Sequence, residues 1–215
     1  MAVIHQTTLQ PTKLELLTEW LPTRPWYRGG EARLDRVGGF RLDDPAGEVG
    51  IEFMVVTDGE GADAVSYLVP LTYRGAPLDG AEAALVGTSE HGVLGKRWIY
   101  DGAHDPVLVA QLYALLAGRA EAQAQSLTDV PDRAVAVSRP AAAGAADAEP
   151  VRVTEGADHT DVEVRAPGAP APLTLRVRRV LAAGTEVPPD ADGGVTAEWR
   201  RADGTTVRGL FVVAL

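Results

Sequence analysis

The stretch from Gly38 to Tyr73 constrains the fold most tightly, because three apolar runs in it are separated by residues that force the chain to reverse. The runs are Gly38-Gly-Phe-Arg-Leu42, Val49-Gly-Ile-Glu-Phe-Met-Val-Val56 and Val65-Ser-Tyr-Leu-Val-Pro-Leu-Thr-Tyr73, rich in the β-branched and aromatic residues that suit a pleated surface. Between them stand Asp43-Asp-Pro-Ala-Gly47 and Asp58-Gly-Glu-Gly61, where proline fixes φ and glycine permits positive φ. The pattern predicts an antiparallel meander.

Helices flank the meander. Thr12 and Glu15 have capping-box spacing, Leu14, Leu17 and Leu21 then recur on one helical face, and Pro22 and Pro25 stop the helix. Asp105-Pro106 is an N-cap and first-turn pair, followed by a helical stripe of Val109, Leu112, Leu115 and Leu116. Alanines extend the predicted helix to about Gln125 despite Gly118. From 138 to 150 the chain is rich in alanine, proline and glycine, with no large side chain to bury, and it reads as a linker. Beyond it, Val151–Thr154, Thr160–Val164, Leu173–Val180, Val195–Trp199 and Thr206–Val213 alternate apolar and polar residues, as half-buried antiparallel strands do. The expected architecture is α+β: a curved antiparallel sheet packed with helices over 1–137, the linker 138–150, and a small, mostly antiparallel sheet or partial barrel over 151–215.

Composition narrows the function classes. With 215 residues, 46% of them hydrophobic and 23% charged, the chain can bury a sizeable core. A net charge of -10 opposes binding to nucleic-acid phosphates and anionic membranes. No cysteine is present, which removes disulfides, thiolate nucleophiles and cysteine-ligated metals. No apolar run approaches the roughly 20 residues that span a bilayer, so a soluble cytoplasmic protein is expected.

Polar residues that invite a catalytic reading gather between Glu90 and Asp105. His91, Asp101 and His104 are candidates for acid–base chemistry or metal ligation, but no HExxH-type pair sets two imidazoles on one helical face. Asp105 reads better as a helix cap, and His104 and Asp101 as turn residues. Glu52 interrupts an apolar run, and the preferred reading puts it on a solvent face, paired across the sheet with Arg41 or Arg74. Asp43 and Asp44 read as a hairpin turn, and the glycine-bearing stretch 58–63 lacks the lysine of a phosphate loop. Ser66, Ser89 and Ser126 stand in no nucleophile elbow. Trp26, Tyr27, Arg28 and Trp98 could form a stacking or partner surface, although tryptophans commonly fill the space between helix and sheet.

The stretches Gly38–Pro45, Val69–Pro77 and Glu90–Pro106, in this order, resemble the N-terminal cap of actinobacterial maltokinases and glucosamine kinases, over about residues 1–130. The resemblance implies a cystatin-like cap of helices on a curved sheet, which in that family precedes a kinase body using ATP and magnesium. His91-Gly92 is followed by valine, so the family's His-Gly-Asp motif is not matched and no catalytic residue carries over. Leu173–Val180 is similar to the strand bearing the ATP-binding lysine, with Arg176 at that place, which makes 151–215 comparable to a reduced intermediate lobe. These implications give a noncatalytic cap-like interaction or regulatory module near maltose, trehalose or glycogen metabolism, with no cofactor and no metal. Its partner would be a sugar kinase or an α-glucan enzyme. A second reading is a carbohydrate-binding module stacking α-glucan on exposed aromatics. A third is a transferase or hydrolase using Glu52, His91, Asp101 or His104.

Overall fold

Both helices begin where capping residues supply acceptors for otherwise unpartnered amides. In this computed structural model, which describes residues 9–125, 130–138, 148–167 and 171–215, α1 spans Lys13–Trp20. The Thr12 hydroxyl accepts from the Glu15 amide at 3.3 Å, and the Glu15 carboxylate accepts from the Thr12 amide at 2.6 Å, completing the expected capping box. The second helix, α2, spans Pro106–Leu116, and its Asp105 cap accepts from the Val107 amide at 2.9 Å. It stops nine residues short of the expected end. Gly118 takes φ +71° and turns the chain away, and residues 123–124 pair as a strand instead.

The strands are β1 (Leu9–Gln10), β2 (Leu34–Leu42), β3 (Gly50–Asp58), β4 (Val65–Arg74), β5 (Leu85–His91), β6 (Gly95–Asp101), β7 (Gln123–Ala124), β8 (Ala136–Ser138), β9 (Glu149–Glu155), β10 (His159–Arg165), β11 (Leu173–Arg178), β12 (Gly193–Arg200) and β13 (Thr206–Ala214). The expected meander is β2–β3–β4. Among the described residues all thirteen strands join one sheet in the order β1-β5-β6-β4-β3-β2-β12-β13-β11-β10-β9, with β7 on β2 and β8 on β12. Every strand pairing in it is antiparallel.

The sheet also curls back on itself. Just after β11, the Leu68 amide donates to the Arg179 carbonyl at 3.0 Å and the Leu181 amide to the Ser66 carbonyl at 2.9 Å, with Tyr67 bridging Val180. β4, β3, β2, β12, β13 and β11 therefore form a closed ring. Pro70 lies where β4 changes neighbour from this segment to β6, an interruption of the ladder that suits a residue without an N–H. The ring is thin at one place, where β2 meets β12 through the single pair Gly38–Trp199. A Cβ on Gly38 would stand 2.9 Å from Trp199 Cβ, so glycine is what lets these two backbones approach.

Two apolar clusters lie on opposite faces of β3. Met54 and Val56 pack with Leu17, Trp20 and Leu21 of the first helical region, together with Trp26, Tyr67 and Val69. Ile51, Phe53 and Val55 point the other way, into a cluster shared by α2 and by β10–β13. Phe40 stacks on Phe53 at 4.6 Å between centroids and reaches Phe211 at 6.1 Å, so residues on both sides of position 150 build one core. α2 is apolar almost all round, and its burial among β2, β8, β9 and β12 explains why such a helix is stable here. Residues 139–147 of the expected linker lie outside the described residues, as does Ser126. No helix of the described residues is long and apolar enough to cross a membrane.

Candidate functional site

A buried polar network joins residues from both sides of position 150. Trp26 follows the turn after α1, edge-on to Trp20 at 6.0 Å, and has no exposed surface. Its indole Nε1 donates to Glu155 Oε2 at 2.7 Å. Arg179, also fully buried, lays its guanidinium 4.9 Å from the Trp26 ring centroid. Its Nη2 donates to Asp101 Oδ2 at 2.5 Å and its Nε to the Thr160 hydroxyl at 2.7 Å, while Thr160 in turn donates to Glu155 Oε2 at 3.2 Å. A buried guanidinium without a carboxylate would cost several kcal/mol, so Asp101 and Arg179 hold each other in place.

His104 sits at the edge of this network, with Nε2 3.6 Å from Glu155 Oε1. Asp101, His104 and Glu155 each bring a ligand-type atom within 4.8 Å of the others. Burial pushes the Glu155 carboxyl up, but the His104 imidazole, the Arg179 charge and donation from Trp26 and Thr160 outweigh it and hold the carboxyl below its ordinary range. Asp101 also accepts from the Ala103 amide at 3.2 Å, which is the expected turn role. Its ion pair with Arg179 is additional.

Glu52 belongs to a separate group. It is 3% exposed and not on a solvent face; Arg41 stands opposite it in the β2–β3 register, while Arg74 makes a two-pronged pair with Asp105 at 2.6 and 2.7 Å. Instead Glu52 accepts from Lys13 Nζ at 2.5 Å, the Tyr73 hydroxyl at 2.6 Å and Gln125 Nε2 at 3.0 Å. The helix α1 brings Lys13 across the strand, a contact between residues 39 apart that strand alternation cannot foretell. Burial pushes the Glu52 carboxyl up, yet Lys13 and the Tyr73 hydroxyl outweigh it and keep the carboxyl low. The same contact pushes the Tyr73 hydroxyl well above its usual range, after burial as the larger cause.

The remaining candidates are dispersed. His91 ends β5, where Nδ1 accepts from the Val93 and Leu94 amides at 3.3 and 3.0 Å. Asp44 accepts from the amides of Ala46, Glu48 and Val49, as a turn residue does. Trp98 is half-buried beside Ala81, Ala84 and Tyr100, with Lys96 Nζ 5.1 Å from its ring centroid. Tyr27 is half-buried and donates to Asp58 Oδ2 at 2.6 Å, which together with burial pushes its hydroxyl far up; Arg28 is exposed. The complete burial of Trp26 corrects the expectation that it offers a stacking face.

Sequence reasoning passed over Glu155, Thr160 and Arg179. A signal was present: Thr160 shares strand phase with the buried Val162 and Val164, and Arg179 with the buried Leu175 and Val177. A polar residue on the inward phase of an apolar strand demands a buried partner. Arg176, on the other phase, forms a two-pronged pair with Asp161 at 2.7 and 2.8 Å.

An open cleft of about 540 Å³ lies at the end of α2, lined by Leu115, Val135 and Val137 with Arg119, Glu121 and Asp132 at its wall. Among the described residues no aromatic side chain lines it. Comparison with curated proteins finds no significant match. Residues 20–105, the segment that holds Trp26, Glu52, Asp101, His104 and the Asp105 helix cap, match the family model of the maltokinase N-terminal cap domain, the family whose pattern the sequence resembles.

Proposed function

We propose that the chain is a noncatalytic, maltokinase-related cap module that docks onto a sugar kinase or α-glucan enzyme in the cytoplasm, near maltose, trehalose or glycogen metabolism. The observation that carries this reading is the tip of the β5–β6 hairpin. Val93 and Leu94 there are 62% and 47% exposed. The tip is held in shape from within, since His91 accepts from both of their amides and Arg97 Nη2 donates to the Leu94 carbonyl at 2.6 Å. A preordered apolar prong loses little entropy on docking, which is how small interface anchors contribute most of their affinity. The carboxylates Glu52 and Asp105, in contrast, are committed to the fold, paired with Lys13 and Arg74.

The family match supports the class of partner. The carbohydrate-binding alternative loses its strongest stacking face with Trp26 buried. The test is binding of the purified chain to sugar kinases and glucan enzymes of its host, by interferometry. The double variant Val93→Asp/Leu94→Asp should lose at least tenfold in affinity with an unchanged unfolding temperature. Failure of the unmodified chain to bind any of them overturns the reading.

A further inference from the structure

We propose that Asp101, His104 and Glu155 form a binding site for one divalent transition-metal ion, Zn²⁺ being the ion whose ligand preferences they fit. One imidazole and two carboxylates make an N/O donor set suited to zinc. Bonds of about 2.0–2.1 Å in tetrahedral geometry put neighbouring ligand atoms about 3.4 Å apart. The 3.6 Å between His104 Nε2 and Glu155 Oε1 is long for a hydrogen bond and close to that separation, and all three ligand atoms lie within 4.8 Å of one another.

Both carboxylates are held in place by donors. Trp26 and Thr160 hold Glu155 Oε2, which leaves Oε1 toward His104. Arg179 and the Ala103 amide hold Asp101. Such contacts fix ligand geometry in metal sites. Two carboxylates against one guanidinium leave these three groups one negative charge, so a dication is attracted despite Arg179. The side chains of His104 and Glu155 are 32% and 25% exposed, giving an ion access.

One donor of this network lacks an acceptor among the described residues. On the guanidinium whose other nitrogens hold Asp101 and Thr160, Arg179 Nη1 is buried without a hydrogen-bond acceptor among the described residues. A buried donor of this kind calls for an acceptor that the described residues do not supply. The site joins the turn before α2 to the end of β9 and is independent of the proposed docking prong.

The test titrates chelator-treated full chain with Zn²⁺ by calorimetry, records the visible spectrum with Co²⁺, and follows thermal unfolding in both. The expected result is one Zn²⁺ per chain, a Co²⁺ spectrum of a low-coordinate site, and a higher unfolding temperature. His104→Ala should weaken binding at least tenfold, Glu155→Gln, which keeps an oxygen for the Trp26 indole, should also weaken it, and His159→Ala should leave it unchanged. Absence of Zn²⁺ binding, a preference for Mg²⁺ or Ca²⁺, or undiminished binding by both His104→Ala and Glu155→Gln overturns the proposal.

Discussion

Strands β3 and β4 are buried along both faces, whereas β10 buries only every second residue and β9 buries none fully. The difference shows how the family-matched segment depends on the rest of the chain. One face of β3 is covered by α1, which leads directly into that segment, but the other rests on Phe211, Val212 and Leu175, more than a hundred residues away. Buried on both sides, β3 and β4 read as unbroken apolar runs. The outer strands alternate because they cover a core and leave one face wet.

Several experiments would break or sharpen this contrast. The largest effect is expected where the halves lock together. Phe211→Ala should cost about 3–5 kcal/mol through the cavity it leaves against Phe40 and Trp199, and denaturant unfolding should remain a single transition for both halves. Two separate transitions would refute the shared core. Arg179→Ala should cost a similar about 3–5 kcal/mol by stranding Asp101, while the joint change Arg179→Met/Asp101→Leu should recover much of the loss. Equal losses in the single and joint variants would show that packing against Trp26, and not charge, dominates.

Lys13→Met probes the α1 face, with a loss of about 1–3 kcal/mol expected at neutral pH. Because the folded Glu52 carboxyl is held below its unfolded value, its contribution is present above about pH 4.3 and disappears as pH falls through the folded value. Without Lys13, burial, already the largest single influence, is no longer outweighed and the carboxyl rises, so the sign reverses and stability should decline with increasing pH. Urea midpoints between pH 4 and 8 read this directly. The smallest effect belongs to the wet edge: Arg152→Ala, which removes an exposed pair with Glu163 at 2.9 Å, should change stability by no more than about 0.2–1 kcal/mol.

Local chemistry was legible wherever the partner lay close in sequence. The Thr12–Glu15 capping box, the Asp105 cap and the Asp44 turn are contacts between residues two to five apart, and each could be read from spacing. The α+β class and the five strands after 148 were also legible, because alternation is a local pattern. Glu52 was misread because its cation comes from a helix that folds across the strand. The Trp26–Glu155 bond spans 129 residues and the Asp101–Arg179 pair 78, so no spacing rule reaches them. The helix overrun past Leu116 has a different cause. Alanine favours a helix intrinsically, but Gly118 and the pairing of 123–124 with β2 prevail over that weak preference.

The closed ring of strands has a consequence for the order of events during synthesis. β2, β3 and β4 leave the ribosome before Val180, Trp199 and Phe211 exist, yet those later residues seal the ring at Tyr67 and Gly38 and cover Phe40. Until then the most apolar strands of the molecule carry open edges and an uncovered face, the features that template aggregation. The nascent chain is therefore a natural client for chaperones. Truncations ending near residue 135 should accumulate as insoluble protein, while the full chain should escape that fate once its last strand is made.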